Sequence, residues 1–483
     1  MPRPLAPEAA AALAFLASGA VLVLEILGVR LLAPYVGLTL QTTTAIIGSV
    51  LAGIAAGAAL GGRTADLTDP RRLLAWLLAG GGVLALLTVP VVRVLGPALR
   101  GSGDAGALLV TFAALLPPAA VLSAVTPTLA RLQLRDLGSS GTVFGRLSAW
   151  ATAGALAGTF VTGFVLVPRL SVTTSVIAVG AVVVGAGLAV GVRGAVLGAT
   201  GVAVVVAAAL AAGTLTAVAS PPCDVESAYH CVRVDRDPAR PSGRVLVLDD
   251  LRHSYVDLED PRRLEFDYTR WIADAVDGSA PRGRPLDAVF VGGGGFTLPR
   301  WLAATRPGSR SRVLEVDGEL VDVARERLGL RTSPALRVLE GDARMTMRDQ
   351  PARSADAVVG DAFGGRAVPW HLATLEWTEQ VRRVLRPGGV YAMNVIDLGE
   401  LRLMRAEAAT LLEVFPHVRL IARPGPTGAN LVLVASSRPL PASAGSRARG
   451  ARTYGRAAVA RLVAGSDPLT DEDAPVDQLL QTR

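Results

Sequence analysis

The sequence predicts a protein in two halves, a multi-span α-helical membrane domain followed by an α/β domain built on a doubly wound sheet. Three observations predict it. Up to about Val218 the chain passes through seven apolar segments, each near the ~20 residues that a helix needs to cross a bilayer. Beyond Ser220, short apolar runs alternate with helical patterns across short loops, as the strands and crossover helices of such a sheet do. The third is residues 286–317, LDAVFVGGGGFTLPRWLAATRPGSRSRVLEVD, which join a buried strand, four glycines, a helix and a second strand ending in acids.

At 483 residues the chain has room for two or three domains. Charge is unevenly placed: twelve Arg against six acids up to Val218, then thirty-six against thirty-five. The formal excess of +7 therefore sits almost wholly in the apolar half, where it orients a membrane protein and does not signal nucleic acid. All 48 basic residues are Arg, which excludes a lysine Schiff base and a Walker-type phosphate loop, since both need an ammonium. Cys223 and Cys231, just past the last apolar segment, are either one bridge in an oxidising compartment or two buried thiols. The first apolar run is too long for a cleaved signal peptide and leads into further spans.

The apolar segments cover roughly residues 9–32, 43–60, 73–95, 105–129, 147–167, 172–192 and 195–218. Arg3, Arg63, Arg71, Arg72, Arg131, Arg135, Arg146 and Arg193 fall in alternate connections; Arg93, Arg100 and Arg169 fall in the others, with Arg30 near a membrane face. By the positive-inside rule the N-terminus is cytoplasmic, and seven spans place the α/β half on the extracytoplasmic side. That side sits uneasily with a nucleoside ligand, which is made in the cytoplasm, and one miscounted span in the closely spaced last pair reverses it. Glu25, deep in the first span, is either a functional acid or a structural partner for an Arg such as Arg30 or a neighbouring hydroxyl. Gly53, Gly57, Gly61 and Gly62 give the second span a small-residue face, and Pro117, Pro118 and Pro127 kink the fourth.

The domain boundaries expected are 1–219 for the spans, 220–285 for a small β unit and pocket segment, 286–440 for the sheet domain, and 441–483 for a tail, mobile to Gly455, with a helix over 456–464 and an acidic end. Residues 229–234 and 244–248 read as strands. A polar, aromatic stretch from His253 follows, helical in its second half from Tyr268. The sheet strands expected are 286–291, 311–316, 336–339, 355–359, 389–394, 418–422 and 431–435.

In an open α/β sheet, ligands gather at the carboxyl ends of the strands. The first strand ends in Gly292, Gly293, Gly294 and Gly295, where missing side chains let backbone approach a ligand at a helix N-terminus. The second ends in Glu315 and Asp317, about 20 residues on, where a carboxylate lies beside a nucleoside's ribose. The third ends in Gly341, Asp342 and Ala343, with a carboxylate suited to an exocyclic amine such as adenine's. The fourth ends in Asp361, a candidate base or cation-attracting group. The competing reading, that these aspartates only cap helices, fits Asp317 best. No His/Cys cluster has zinc spacing, so no metal is expected, and no G-x-S-x-G elbow occurs.

With VGGGGFTLPR, LEVD, EGDAR, VVGDAF and LRPGG in this order, the chain from about Val225 to Ala435 resembles the spermidine synthase (aminopropyltransferase) family, specifically its membrane-fused bacterial relatives. The resemblance implies a Rossmann-like, methyltransferase-type sheet behind a small β domain. It implies decarboxylated S-adenosylmethionine as co-substrate, or S-adenosylmethionine in a methyltransferase, with a small-molecule amine as acceptor. Glu315 would hold the ribose hydroxyls, Asp342 the adenine amine, and Asp361 would deprotonate the attacking amine, with Tyr268 lining the amine pocket. The lipid bilayer is the other expected partner; a homodimer is left open.

The chain also departs from the family. Gly295 and Gly364 stand where the family carries aspartates that hold substrate ammonium groups, His253 replaces a glutamine before the amine pocket, and Thr269 replaces another after Tyr268. Asp257, Glu259 and Asp267, or Asp471, Glu472 and Asp473, are the acids available to replace them. Glu25, the lost carboxylates and the inferred outside location motivate a rival reading, a membrane sensor or transporter-like protein that binds a nucleoside or polyamine without turnover.

Overall fold

The computed structural model describes residues 5–37, 40–100, 102–134, 137–424, 429–440 and 450–480. The chain divides into two compact units, Met1–Cys231 and Val232–Arg483. Arg3 and Arg135, and residues 441–449 of the expected mobile tail, lie outside the described residues.

The first unit contains α1 (Pro7–Val36), α2 (Leu40–Leu67), α3 (Pro70–Ala98), α4 (Gly103–Ser123), α5 (Val125–Gln133), α6 (Ser140–Val161), α7 (Val172–Arg193), α8 (Ala199–Val218) and the short strand β1 (Val225–Glu226). Among the described residues, seven helical segments of 20 to 31 residues are long and apolar enough to cross a membrane, α4 and α5 counting as one and α6 running on through a π-helical turn at Thr162–Leu166. The fourth segment is broken at Ala124. Pro117 and Pro118 sit inside α4, whereas Pro127 has no N–H to offer the Ser123 carbonyl, so the ladder is interrupted there.

Gly53, Gly57 and Gly61 recur every fourth residue and bring α2 against α4 and the start of α5. A Cβ on Gly53 would lie 2.9 Å from the Leu116 carbonyl oxygen, so only glycine allows this approach. Gly62 points elsewhere, with Pro127 its nearest neighbour at 3.8 Å. Glu25 lies within α1.

The segment after α8 is tied to the helix ends. Glu226 accepts from the Thr173 amide at 2.9 Å and hydroxyl at 2.6 Å, with Arg93 3.7 Å away. Arg93 also donates to the Thr216 carbonyl at 2.9 Å, and Arg30 to those of Ser227, at 2.8 Å, and Ala228. Cys223 and Cys231 form a disulfide, which decides between the two readings open in the sequence.

The second unit opens with an antiparallel meander, β2 (Cys231–Asp237), β3 (Arg240–Leu248) and β4 (Leu251–Asp257). Strand β4 falls in the stretch that sequence treats only as polar and aromatic. Next come α9 (Asp267–Gly278), β5 (Asp287–Val291), α10 (Thr297–Thr305), β6 (Arg310–Glu315), α11 (Gly318–Arg327), β7 (Leu336–Glu340), α12 (Ala343–Arg348) and β8 (Ala355–Gly360). They are followed by α13 (Leu375–Val384), β9 (Leu385–Asp397), α14 (Arg402–Val414), β10 (His417–Ala422), β11 (Ala429–Ser436), β12 (Arg452–Tyr454), α15 (Arg456–Leu462) and α16 (Val476–Leu479). The sheet order is β12-β10-β11-β9-β8-β5-β6-β7, parallel from β9 to β7 and antiparallel from β12 to the β11–β9 pair.

Central strands are apolar on both faces: Ala288 to Val291 are all at most 4% exposed, as a sheet covered by helices on both sides requires. The expected tail is corrected beyond residue 449. Strand β12 pairs with β10, and Val459, Leu469 and Val476 are buried in the sheet domain's own core. Apolar positions spaced along a charged segment are enough to dock it.

Candidate active site

The four strand ends singled out in the sequence lie in one row. The Gly292 amide donates to the Leu314 carbonyl at 2.9 Å, Gly341 to Glu315 at 2.8 Å, and Asp361 to Val291 at 2.9 Å. These bonds tie the carboxyl ends of β7, β6, β5 and β8 together in sheet order.

Gly292 has φ +90°, and a Cβ there would run into the Asp361 backbone, so this turn demands glycine. Gly294 is also left-handed, at φ +49°. The Gly293 amide donates to Oε2 of Glu315 at 2.7 Å, and the Asp317 amide to Oε1 at 3.0 Å. Glu315 is 7% exposed, and burial pushes its carboxyl above the ordinary range despite these donors. The Gly294 amide is a third backbone donor to this carboxylate.

The capping reading holds for more than Asp317. Asp317 accepts from Leu320 N at 3.1 Å at the start of α11. Asp342 does the same for α12, its Oδ1 accepting from Arg344 N at 2.9 Å and Met345 N at 3.1 Å. Its Oδ2 lies 3.0 Å from Nε2 of His371, a partner the sequence did not reveal. Ala343 begins α12 and is buried beside it.

Asp361 follows β8. Asn394, from the neighbouring β9, donates to its Oδ1 at 2.8 Å, and Tyr268, from α9, to its Oδ2 at 3.3 Å. Asn430 in turn donates to Oδ1 of Asn394 at 3.1 Å. Burial raises the Asp361 carboxyl to about 6 against the pull of these two donors, and burial beside Asp361 pushes the Tyr268 phenol well above its usual value. Asn394 and Asn430 are functional candidates that sequence reasoning passed over, although Asn394 was legible as a polar residue ending a buried strand.

Asp361, Tyr268 and His253 line one cleft of about 930 Å³, together with Asn394 and Asn430. Asp361 and Tyr268 also line a small cavity with Gly292 and Gly293. Glu315 and Asp342 lie outside the lining of both. Gly292 and Gly293, the latter bonded to Glu315, thus border the cavity that Asp361 and Tyr268 also line.

The two glycine departures differ physically. A Cβ on Gly295 would lie 2.8 Å from both Ser254 Cβ and Val256 Cγ2, and the Gly295 amide donates to Ser254 Oγ at 3.1 Å, so β4 excludes an aspartate. Around Gly364 a Cβ meets nothing within 4 Å. Thr269 is buried, its hydroxyl donating to the Phe266 carbonyl at 2.7 Å.

Three of the six proposed replacement acids are engaged. Burial works against the charge on Asp257, yet the amides of Asp260 and Glu259 and the Arg240 guanidinium outweigh it and hold the carboxyl at about 2. Asp471 is gripped by Arg344, at 2.8 Å from its Nη1, and by Thr374 at 2.7 Å. Asp267 does line the cleft, but Arg270 and Arg423 both pair with it.

Fold and site together define an α/β protein of the Rossmann-like, methyltransferase-type class, with glycines and carboxylates at successive strand ends. No protein-family model matches the chain. A polyamine aminopropyltransferase of Vibrio vulnificus (strain CMCP6) is 28% identical over 181 residues, 37% of this chain and 58% of that protein. This chain thus spans little more than half of that curated relative. A probable spermidine synthase from Corynebacterium glutamicum ATCC 13032, solved as a crystal structure, is 30% identical over 50% of this chain and 94% of that one, with a TM-score of 0.47. The spermidine synthase from Thermotoga maritima is 19% identical over 43% and 69%, with a TM-score of 0.36. Over this shared half, the chain is similar to the spermidine synthase (polyamine aminopropyltransferase) family.

Proposed function

We propose that the chain is a membrane-anchored, spermidine synthase-like aminopropyltransferase, moving an aminopropyl group from decarboxylated S-adenosylmethionine to an amine. The observation that carries this reading is Asp361, a carboxylate set between Tyr268 and Asn394 in the cleft and raised to about 6. Such a group is ionised at neutral pH and still basic enough to take a proton. The lone pair of a neutral amine attacks the propyl carbon next to the sulfonium. As the C–N bond forms, the C–S bond breaks and its electron pair returns to sulfur, leaving neutral methylthioadenosine. The proton on the new ammonium passes to Asp361.

Alignment of the two substrates supplies much of the rate. Gly292 to Gly295 and Glu315 take the ribose side, Asp342 and Ala343 the adenine, and Tyr268 and His253 the amine. Full-length protein with decarboxylated S-adenosylmethionine and a panel of amines should release methylthioadenosine, and Asp361→Asn should lower turnover by about 10²- to 10⁴-fold. No release with any amine overturns the reading. Methyl transfer from intact S-adenosylmethionine would make it a methyltransferase, and saturable binding without turnover heat would make it a binding protein.

The seven apolar helices support the anchor, and the odd span count with the Cys223–Cys231 disulfide supports an extracytoplasmic α/β half. In intact cells, an impermeant maleimide should label these cysteines only after an impermeant reductant. Labelling that requires permeabilised cells places the segment in the cytoplasm.

A further inference from the structure

We infer that the acceptor is an amine whose far end carries a carboxylate, and not the second ammonium of a diamine. This rests on reading the cleft as the aminopropyl-transfer site. Besides Asp361, the cleft is lined by two carboxylates, Glu265 and Asp267. Glu265 pairs with Arg263 at 2.6 Å, and Asp267 with both Arg270 and Arg423. A diamine that presents one nitrogen to Asp361 therefore finds no unengaged carboxylate in this lining for its other end. The two positions where the family resemblance puts further carboxylates are Gly295 and Gly364, and β4 closes the first to any side chain.

The cations of the cleft are differently placed. Arg252 lines it, makes no ion pair among the described residues, and holds its guanidinium 5.9 Å from the centre of the Phe266 ring. Arg366, 53% exposed, reaches Asp250 only at 3.8 Å. A guanidinium presents paired N–H donors that match a carboxylate's two oxygens. With more guanidinium groups than carboxylates along the wall, a distal anion is attracted where a distal ammonium is repelled.

The decisive comparison uses putrescine and 4-aminobutyrate, which share a four-carbon chain and differ in ammonium against carboxylate at the far end. With full-length protein and decarboxylated S-adenosylmethionine, kcat/KM for methylthioadenosine release should favour 4-aminobutyrate by about 10- to 100-fold. Arg252→Glu should erase or reverse that preference. Calorimetric titration of both amines in the presence of methylthioadenosine provides a readout that needs no turnover, and should give the same order. Putrescine preferred in wild type, by rate or by binding, overturns the inference while transfer chemistry stands. Should neither amine nor any other give methylthioadenosine, the transfer reading fails, and the calorimetric order alone decides whether the cleft prefers the anion.

Discussion

Replacing Asn394 with leucine tests the assignment of Asp361 as base. Asn394 donates at 2.8 Å to the carboxylate and is itself held by Asn430 at 3.1 Å, so the donor is fixed in place. A hydrogen bond to an ionised group is worth about 1.5–3 kcal/mol net. The bond favours the charged form only, so its loss raises the pKa; at about 1.4 kcal/mol per pH unit the rise is roughly 1–2 units. The Asp361 carboxyl then moves from about 6 to the neighbourhood of about 7–8. The assay is the pH profile of kcat/KM for methylthioadenosine release, wild type beside Asn394→Leu, from about pH 5 to about 9. Titration of the acceptor amine contributes equally to both profiles, so their difference isolates the enzyme group. The carbon-13 shift of the Asp361 carboxyl follows the same proton directly. A limb that stays in place, or moves to lower pH, refutes the assignment.

Two further predictions concern packing. Gly364→Asp should fold like the parent, whereas Gly295→Asp should melt lower by at least the ~1–3 kcal/mol of an overpacked site, because its Cβ meets Ser254 and Val256; equal melting of the two by intrinsic fluorescence contradicts this. Glu407 is 2% exposed, its Oε1 has no hydrogen-bond partner among the described residues, and burial pushes its carboxyl well above the ordinary range. A raised folded-state value means that any stability tied to the neutral acid is complete below the unfolded pKa and is lost as pH rises through the folded one. Glu407→Leu should therefore stabilise the protein by about 1–3 kcal/mol, and by more at high pH; an unchanged or falling advantage between neutral and alkaline melts argues against it.

Seven spans and the main strands were legible because each is a long or strongly patterned apolar run. Strand β4 was not, since His253 and Ser254 put polar side chains on the part of it that borders the glycine turn. The partnership of Asp361 with Asn394 depends on strand neighbours 33 residues apart. It follows once Gly360 is paired with Met393, a register that a single sequence does not announce. Asp342 was recognised as a strand-end acid, but its bond to His371 comes from a single 3-10 turn, Trp370–Leu372, too short for any periodicity to announce. Arg, Ser and Gly content describes the tail only to Gly455; the helix from Arg456 is legible in the sequence, whereas the burial of its Val459 is not.

The grip of Arg344 on Asp471 spans 127 residues of sequence, and the helix it steadies is the one capped by Asp342. Leu375 N is likewise bonded to the Leu469 carbonyl, and Leu469 N to the Thr410 hydroxyl. The wall on the Asp342 side of the site is thus held by a strap from well beyond the sheet. During synthesis that wall stays unbraced after β11 has been made, until the segment that carries Leu469 and Asp471 follows.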